Sequence, residues 1–360
     1  MYLYKRRLLF TLLLPVIVLS YYGILTIRIN ERNYVPPVRN RTSFEGFLLI
    51  DVDLLRNLQN DLFEPSFIQI AQFSTPLFPP LPSNTVIHAG IDDPSKDYFI
   101  FIINEQKYAV RKFDMVRQKV NQLNNLALFI PKNISTFLWE FERAKFIDCE
   151  DNDMKRSPWT LREIPLSFIE KIAWLRDVMI DFRITPLLYG GSLLGWYREC
   201  SIIPHTTDFD FAILSSEFKS EFLVYLKTSK EFELYWILGK LPKHFELSGY
   251  MEGIKIDLFL LFSEANLKNQ SFVGGFNLHS NEKVLYVYPE VTASNICTGD
   301  LLGRLIFVPC NFLAVIKADS GENWRTDVLT KDYVWYETPK SLFNVTKMSE
   351  EEGKNVLKCY

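Results

Sequence analysis

Apolar runs separated by turn-forming residues recur along the first part of the chain and predict β-strands. Residues 46–50, 67–73 and 98–103 are short runs of this kind, and a proline-rich segment at 76–83 interrupts them as a loop. We therefore expect a small N-terminal α/β domain at residues 43–149.

The pattern changes after a charged, proline-containing segment at 150–164, which predicts a linker. Residues 165–182 have apolar side chains at the spacing of an amphipathic helix, namely Phe168, Ile172, Leu175 and Met179. From Pro186 onward, strand-like and helix-like segments alternate, which predicts an α/β (α+β) fold with a mixed sheet flanked by helices. We expect this larger domain to span residues 165–340 and a tail to occupy 341–360.

An uncharged apolar stretch near the N-terminus has the length of a membrane-spanning helix. Residues 8–27 carry no charge, and about 20 residues are needed to cross a hydrocarbon core of about 30 Å. The basic residues at 5–7 favour a cytoplasmic tail at 1–7, with a stem at 28–42 and the remaining chain in the lumen. A cleaved signal peptide fits less well, because the apolar run is too long and no small-residue cleavage site follows it. The sequence thus predicts a single-pass type II membrane protein.

Charge and cysteine content narrow the choice of partner and compartment. The net charge is -3 and the pI about 5.9, so the chain lacks the basic field that a nucleic-acid backbone requires. None of the five cysteines forms a CxxC pair, and Cys297 and Cys310 are either a disulfide or two buried thiols. Candidate N-glycosylation sites agree with a lumenal chain and lie at Asn40, Asn133, Asn269 and Asn344.

A glycine-containing turn is the first element with candidate chemistry. Gly190, Gly191 and Ser192 follow a short apolar strand and precede a helical segment. Glycines let a backbone approach a phosphate closely, and the start of a helix directs free N–H groups towards an anion. By itself the motif is more typical of an ordinary strand-to-helix turn than of a phosphate-binding turn.

Three carboxylates downstream suggest a metal site. Asp208 and Asp210 begin an apolar strand, and residues two apart on a strand share one face. Asp257 lies in the middle of another apolar strand, where a carboxylate is costly unless a cation or an ion pair with Lys255 compensates it. Mg²⁺ prefers carboxylates together with substrate phosphates, so the three acids predict a site for Mg²⁺ or Mn²⁺.

The residues from Gly191 to Cys200, followed by Asp208-x-Asp210 and later by Lys255-x-Asp257, resemble the signature of the fukutin and LicD family. The similarity is dense over 186–260 and thinner to about residue 338. Ser320 stands where an aromatic residue is expected before Gly321, so the loop on the acceptor side departs from the family pattern.

The resemblance implies a nucleotidyltransferase-like fold and a type II protein of the Golgi or ER membrane. It implies transfer of a phospho-alditol such as ribitol phosphate, or of phosphocholine, from a CDP donor to a hydroxyl of a glycan. Asp208, Asp210 and Asp257 would bind the metal, while Gly190, Gly191, Ser192 and Arg198 would contact the donor phosphates. Assembly with itself or with related transferases is left open.

Two other functions remain compatible with the sequence. A glycosyltransferase also holds its metal with an Asp-x-Asp motif, although the glycine turn and Asp257 argue against that class. A catalytically inactive family member could instead serve as a Golgi scaffold. Metal binding would distinguish the phosphotransferase from the scaffold. The identity of the transferred group, a phospho-group or a sugar, would distinguish the phosphotransferase from the glycosyltransferase.

Overall fold

The computed structural model describes residues 50–51, 87–88, 90–93, 95–103, 106–119, 127–156, 161–241, 244–263 and 269–360. The predicted anchor at 8–27, the stem and the predicted strand at 67–73 lie outside these residues. Within the described part of the chain, no helix is both long and apolar enough to span a membrane. The chain divides into two compact units, Met1–Phe146 and Ile147–Tyr360.

In its described residues, the first unit contains small antiparallel sheets and one helix. Its described elements are β1 (Ile50–Asp51), β2 (Ile87–His88), β3 (Gly90–Asp92), β4 (Tyr98–Ile103), β5 (Gln106–Arg111), β6 (Met115–Lys119), β7 (Ala127–Pro131) and α1 (Ile134–Phe141). Strand β1 pairs with β2, β4 lies between β3 and β5, and β6 pairs with β7. The predicted strand at 98–103 is confirmed as β4. Helix α1 begins after Asn133, whose side chain accepts a hydrogen bond of 3.0 Å from the Thr136 N–H.

The second unit is built on one large mixed sheet flanked by helices, as the sequence predicts. Its strands are β8 (Leu187–Leu188), β9 (Asp208–Leu214), β10 (Glu233–Lys240), β11 (His244–Met251), β12 (Ile254–Ser263), β13 (Gln270–Asn277), β14 (Glu282–Pro289), β15 (Ile296–Leu301), β16 (Arg304–Pro309), β17 (Leu342–Lys347) and β18 (Leu357–Cys359). Its helices are α2 (Ile169–Asp181), α3 (Gly190–Glu199), α4 (Ser220–Thr228), α5 (Phe312–Ser320) and α6 (Glu350–Asn355).

Strand order brings distant segments of the sequence together. Across the sheet the order is β15-β16-β8-β9-β12-β11-β10-β18, and β13, β14 and β17 continue from β12. The pairs β9–β12 and β8–β16 are parallel, whereas the other pairs are antiparallel. Because β9 and β12 are parallel neighbours, corresponding positions near their starts lie side by side.

Helices α2 and α3 pack on the sheet through apolar side chains. The four predicted core residues of the α2 region are all buried, at Phe168, Ile172, Leu175 and Met179. Trp196 of α3 is fully buried and its indole N–H donates to the Asp300 carbonyl at 3.0 Å. A Cβ on Gly299 would lie 2.5 Å from the Trp196 ring, so β15 needs a glycine there. This close approach fixes α3, and with it the glycine turn, relative to the sheet.

The C-terminal segment differs from the predicted tail. Residues 341–360 form β17, α6 and β18, and β18 pairs with β10 at the edge of the sheet. The acidic run after Ser349 is the first turn of α6, where carboxylates favour the positive end of the helix dipole. Ser349 and Glu352 cap each other's backbone N–H groups in a capping box. Short-range capping and pairing with β10 therefore order the segment that the sequence analysis assigned as a tail.

Two disulfides lie in the second unit. Of the two alternatives for Cys297 and Cys310, the structure shows the disulfide, and Cys149 is joined to Cys200. Cys359 is an exposed free thiol.

Candidate active site

The structure brings together the three predicted metal-binding carboxylates. In the parallel pair β9–β12, Asp210 lies directly opposite Asp257, and Asp208 lies opposite Lys255. Alternation along each strand then places all four side chains on the same face of the sheet. One oxygen from each of Asp208, Asp210 and Asp257 lies within 4.8 Å of the others. We call these three residues the carboxylate cluster.

Asp257 also has protein partners. The Ser248 hydroxyl donates to Asp257 Oδ1 at 2.5 Å, and Lys255 Nζ donates to Oδ2 at 2.7 Å. The ion pair between Asp257 and Lys255, which the sequence offered as the alternative to a metal ion, is therefore present within the site. Burial alone would lower the pKa of Lys255, but the charges of Asp257 and its neighbours raise it above the usual value. The ammonium group consequently remains charged and holds Asp257 in place.

The electrostatics of the carboxylate cluster favour a cation. Burial raises the pKa of Asp208 above its usual range, and the charge of Asp257 raises it further. Burial likewise raises the pKa of Asp210, to which the charges of Asp208 and Asp257 add. A divalent cation would remove this repulsion, and carboxylate oxygens are the ligands that Mg²⁺ prefers. The donor set thus fits Mg²⁺ or Mn²⁺.

The predicted glycine turn lies against the carboxylate cluster. Gly190 is already the first residue of α3 and has φ +50°, a conformation that favours glycine. A Cβ on Gly190 would lie 3.1 Å from Asp210 Oδ2. The Ser192 hydroxyl accepts a hydrogen bond of 2.9 Å from the Asp210 N–H, which fastens the turn to β9. The start of α3, where backbone N–H groups lack partners within the helix, therefore lies beside the carboxylates.

Arg198, the fourth predicted donor-binding residue, lies at the other end of α3 and is 1% exposed. Its guanidinium donates to Glu199, to Asp327 and to the carbonyls of Trp324 and Thr326. The structure does not bring it to the carboxylate cluster with the other predicted residues. Its contact with the donor remains a prediction.

A second arginine, Arg156, joins the same group of charges. It donates to both oxygens of Glu199 at 2.7 Å and to Asp327 at 2.6 and 2.9 Å. Although burial would raise the pKa of Asp327, hydrogen bonds from Arg156 and His205 hold it at about 2. His205, three residues before Asp208 in the sequence, contacts Asp327 and Thr330 and so helps to hold the loop that follows α5.

Behind the glycine turn lies a buried hydrogen-bonded cluster that the sequence did not reveal. The hydroxyls of Tyr189 and Tyr288 are 2.5 Å apart, and Tyr288 donates to Asp319 at 3.0 Å. Ser341 also donates to Asp319, at 2.9 Å. Burial raises the pKa of Asp319, partly offset by these hydroxyl donors. The cluster connects α5 and β14 to the residue that precedes Gly190.

Two further residues at the site were missed by the sequence analysis. Glu246 on β11 is 9% exposed, and burial, together with the charge of Asp257, raises its pKa to about 8 despite the opposing charge of Lys255. Tyr333 has a raised pKa because of burial and the charges of Asp319 and Asp210. Neither residue belongs to a recognisable motif, and only strand pairing and chain folding bring them to the carboxylates.

Three of the candidate glycosylation sites are exposed. Asn133, Asn269 and Asn344 are accessible in the described residues, whereas Asn40 lies outside them. Their glycosylation remains a prediction.

Comparison with known proteins places this geometry in a family. Residues 183–311 match the family described as LicD/FKTN/FKRP, nucleotidyltransferase domain, and contain both the glycine turn and the carboxylate cluster. The Caenorhabditis elegans protein W02B3.4 is 30% identical over 325 residues, which cover 87% of this chain and 81% of that protein. A second C. elegans protein, T07A5.1, is 32% identical over 275 residues, covering 74% and 69% of the two chains. This chain belongs to the fukutin-like LicD family.

A human relative has a named activity. The human protein named Ribitol-5-phosphate transferase FKTN is 25% identical over 241 residues, which cover 64% of this chain. The match spans 50% of the human protein's length. Family membership supports a transferase of the glycan phosphotransferase type.

Proposed function

We propose that this protein is a metal-dependent phosphotransferase that moves ribitol phosphate, or a related phospho-group, from a CDP donor to a hydroxyl of a glycan. The observation that carries the proposal is the carboxylate cluster facing the start of α3. A CDP donor needs a cation and backbone N–H groups around its phosphates, and this site offers ligands for the first and a helix start for the second.

In the proposed reaction the acceptor oxygen forms a bond to the distal phosphorus as the bond from that phosphorus to CMP breaks. CMP leaves with the bonding electrons, and the proton of the acceptor hydroxyl passes to solvent. Asp208, Asp210 and Asp257 would hold Mg²⁺ or Mn²⁺, which neutralises phosphate charge when bound. Ser248 and Lys255 orient Asp257, and the N–H groups at Gly190 and Gly191 face the donor phosphates. Positioning and charge compensation supply most of the rate in phosphoryl transfer.

We also propose a lumenal location in the Golgi or ER, with residues 8–27 as the membrane anchor. Support comes from the two disulfides, because such bonds are typical of oxidising compartments. The activity named for the human relative is consistent with a role in protein glycosylation.

One observation favours a second candidate, an inactive scaffold. Both oxygens of Asp257 already have protein partners, and Lys255 places a positive charge beside the cluster. In a scaffold, this ammonium would be the permanent counter-charge of the carboxylates. Such a protein would fold without binding metal or CDP compounds.

Calorimetric titration of the full chain distinguishes the candidates. CDP-ribitol, CDP-choline and UDP-sugars are titrated with Mg²⁺ and with EDTA, using the wild type, Asp210→Asn and the control Asp181→Asn. Asp181 is exposed at the end of α2, so its substitution leaves the site intact. We expect Mg²⁺-dependent binding of a CDP compound that Asp210→Asn weakens at least about tenfold and Asp181→Asn preserves. Binding of UDP-sugars alone would indicate a glycosyltransferase, and no binding by the folded wild type would indicate the scaffold.

A further inference from the structure

Glu246 is a largely buried glutamate to which no described residue donates a hydrogen bond. The residue is 9% exposed, and its carboxyl oxygens are not among the fully buried side-chain atoms that lack a partner. These oxygens therefore reach solvent and can accept hydrogen bonds from a bound molecule. Unlike Asp257, which receives two hydrogen bonds from the protein, Glu246 keeps its acceptor sites available.

The position of Glu246 in the sheet places it next to the carboxylate cluster. It lies two residues before Ser248 on β11, so the two side chains share a face, and Ser248 contacts Asp257. The Glu246 carboxylate interacts electrostatically with Asp257 and Lys255, and it also affects Asp210 and Tyr286. It therefore lies beside the carboxylate cluster.

Glu246 and the glycine turn flank the cluster from opposite sides. In the order β8-β9-β12-β11, Gly190 follows β8, the carboxylate cluster lies on β9 and β12, and Glu246 lies on β11. If the glycine turn faces the nucleotide phosphates, the group attached to the distal phosphate extends towards β11. Glu246 is then next to the part of the donor that is transferred.

The chemistry of this position suits hydroxyl groups. A carboxyl group retains acceptor lone pairs in either protonation state, and the hydroxyls of an alditol are donors. A quaternary ammonium group has no N–H to donate, and Lys255 already supplies the positive charge next to Glu246. A polyhydroxyl group therefore complements this site better than choline does.

We infer that Glu246 is a specificity-determining residue that accepts hydrogen bonds from the hydroxyls of the transferred alditol. This inference rests on the proposed phosphotransferase function. A site that hydrogen-bonds a substrate hydroxyl discriminates strongly against an analogue that lacks it, because its own polar group is then left unpaired. Glu246 would accordingly select an alditol-phosphate donor over phosphocholine.

The test compares donors that differ only in the transferred group. The full chain is titrated with CDP-ribitol, CDP-choline and CDP in the presence of Mg²⁺, as wild type, Glu246→Met and Glu246→Gln. Glu233→Met is the matched control, because Glu233 is exposed on the neighbouring strand β10. Methionine retains the length of the side chain without oxygens, and glutamine retains one acceptor oxygen.

The wild type is expected to prefer CDP-ribitol to CDP and to CDP-choline. Glu246→Met should weaken CDP-ribitol binding about tenfold or more and leave CDP binding unchanged, with Glu246→Gln in between. Without ligand, Glu246→Met should melt no lower than the wild type, because it removes a largely buried carboxyl group that no described residue hydrogen-bonds. If Glu246 had only a structural role, Glu246→Met would lower the melting temperature and weaken the binding of all donors equally.

Two results would overturn the inference while the proposed function stands. One is equal CDP-ribitol affinity in the wild type and Glu246→Met, and the other is a parallel loss for CDP and CDP-ribitol. If the wild type binds no CDP compound in the presence of Mg²⁺, the proposed function is wrong, and the inferred role of Glu246 is wrong as well. The wild-type titrations thus separate the two failures.

Discussion

At the scale of single residues, local sequence pattern was sufficient to find the carboxylate cluster. Asp208 and Asp210 are two apart on one strand, Asp257 interrupts an apolar run, and a glycine turn precedes them, so the combination of these local patterns indicated the site. Arg198 shows the limit of such reasoning, because sequence does not say whether an arginine near a helix end faces solvent or the interior. Its side chain is 1% exposed and bonded within the protein.

Gly190 is predicted to be required for two reasons, its backbone conformation and its close approach to Asp210. In Gly190→Ala, a side chain at φ +50° and a Cβ 3.1 Å from Asp210 Oδ2 should destabilise the protein by about 1–2 kcal/mol and weaken Mg²⁺ binding. Chemical denaturation and Mg²⁺ titration measure the two effects. Gly191→Ala is the control for stability, since its Cβ would meet nothing within 4 Å. Equal stability of the two variants would contradict this interpretation.

The raised pKa values of Asp208 and Asp210 predict how pH changes the effect of Mg²⁺. Between the usual pKa of a carboxyl group and the raised values, the folded metal-free protein retains protons that the unfolded chain releases. Their contribution to stability therefore declines as pH rises through this range. Mg²⁺ binds the deprotonated carboxylates, so it should raise the melting temperature more at about pH 8 than at about pH 5.5. Thermal melts with Mg²⁺ and with EDTA would refute this if the Mg²⁺ effect were larger at the lower pH.

At the scale of elements, strands and helices with a strong local signal were predicted well. Strands β4 and β9 match their predicted runs, and helix α2 falls within the predicted segment at 165–182. The glycine motif differs in detail, because Gly190 begins α3 rather than preceding it. Contacts between distant elements have no signal in the local sequence. The hydrogen bond between Tyr189 and Tyr288 spans 99 residues of sequence, and the one between Arg156 and Asp327 spans 171.

Arg156 is predicted to stabilise the fold by joining two separate segments. It pairs with Glu199 at the end of α3 and with Asp327 in the loop after α5. Arg156→Met removes one positive partner from both Glu199 and Asp327. Because these ion pairs are largely buried, the free energy of unfolding should fall by about 2–4 kcal/mol. Urea denaturation measures the loss. Arg325→Met is the control, because Arg325 is 59% exposed and its pair with Glu150 should contribute about 1 kcal/mol or less. Similar losses in both variants would show that Arg156 has no special structural role.

At the scale of the whole molecule, composition and alternation of elements indicated a mixed sheet but not its strand order. The arrangement β9-β12-β11 depends on pairing between segments far apart in sequence, for which a single chain gives no local signal. The three acids could be proposed as a group because each stands out within its own apolar strand, whereas Glu246 and the hydrogen-bonded cluster of Tyr189, Tyr288 and Asp319 have no such local signal.

The disulfides predict a defined thiol chemistry for the whole chain. Alkylation of the native, unreduced protein should modify Cys359 alone, because the other four cysteines are paired. After reduction and unfolding, all five cysteines should react. Mass spectrometry of the labelled peptides provides the measurement. Native labelling at Cys297 or Cys149 would contradict the bridges and weaken the argument for an oxidising compartment.

Anomalous diffraction from crystals of the full chain with Mn²⁺ and CDP-ribitol would locate the metal and the donor together. The phosphotransferase mechanism predicts an anomalous peak about 2.0–2.2 Å from oxygens of Asp208, Asp210 and Asp257, with the donor phosphates between this peak and the start of α3. A donor bound elsewhere, or a carboxylate cluster that keeps Lys255 as its sole cation at saturating Mn²⁺, would contradict it.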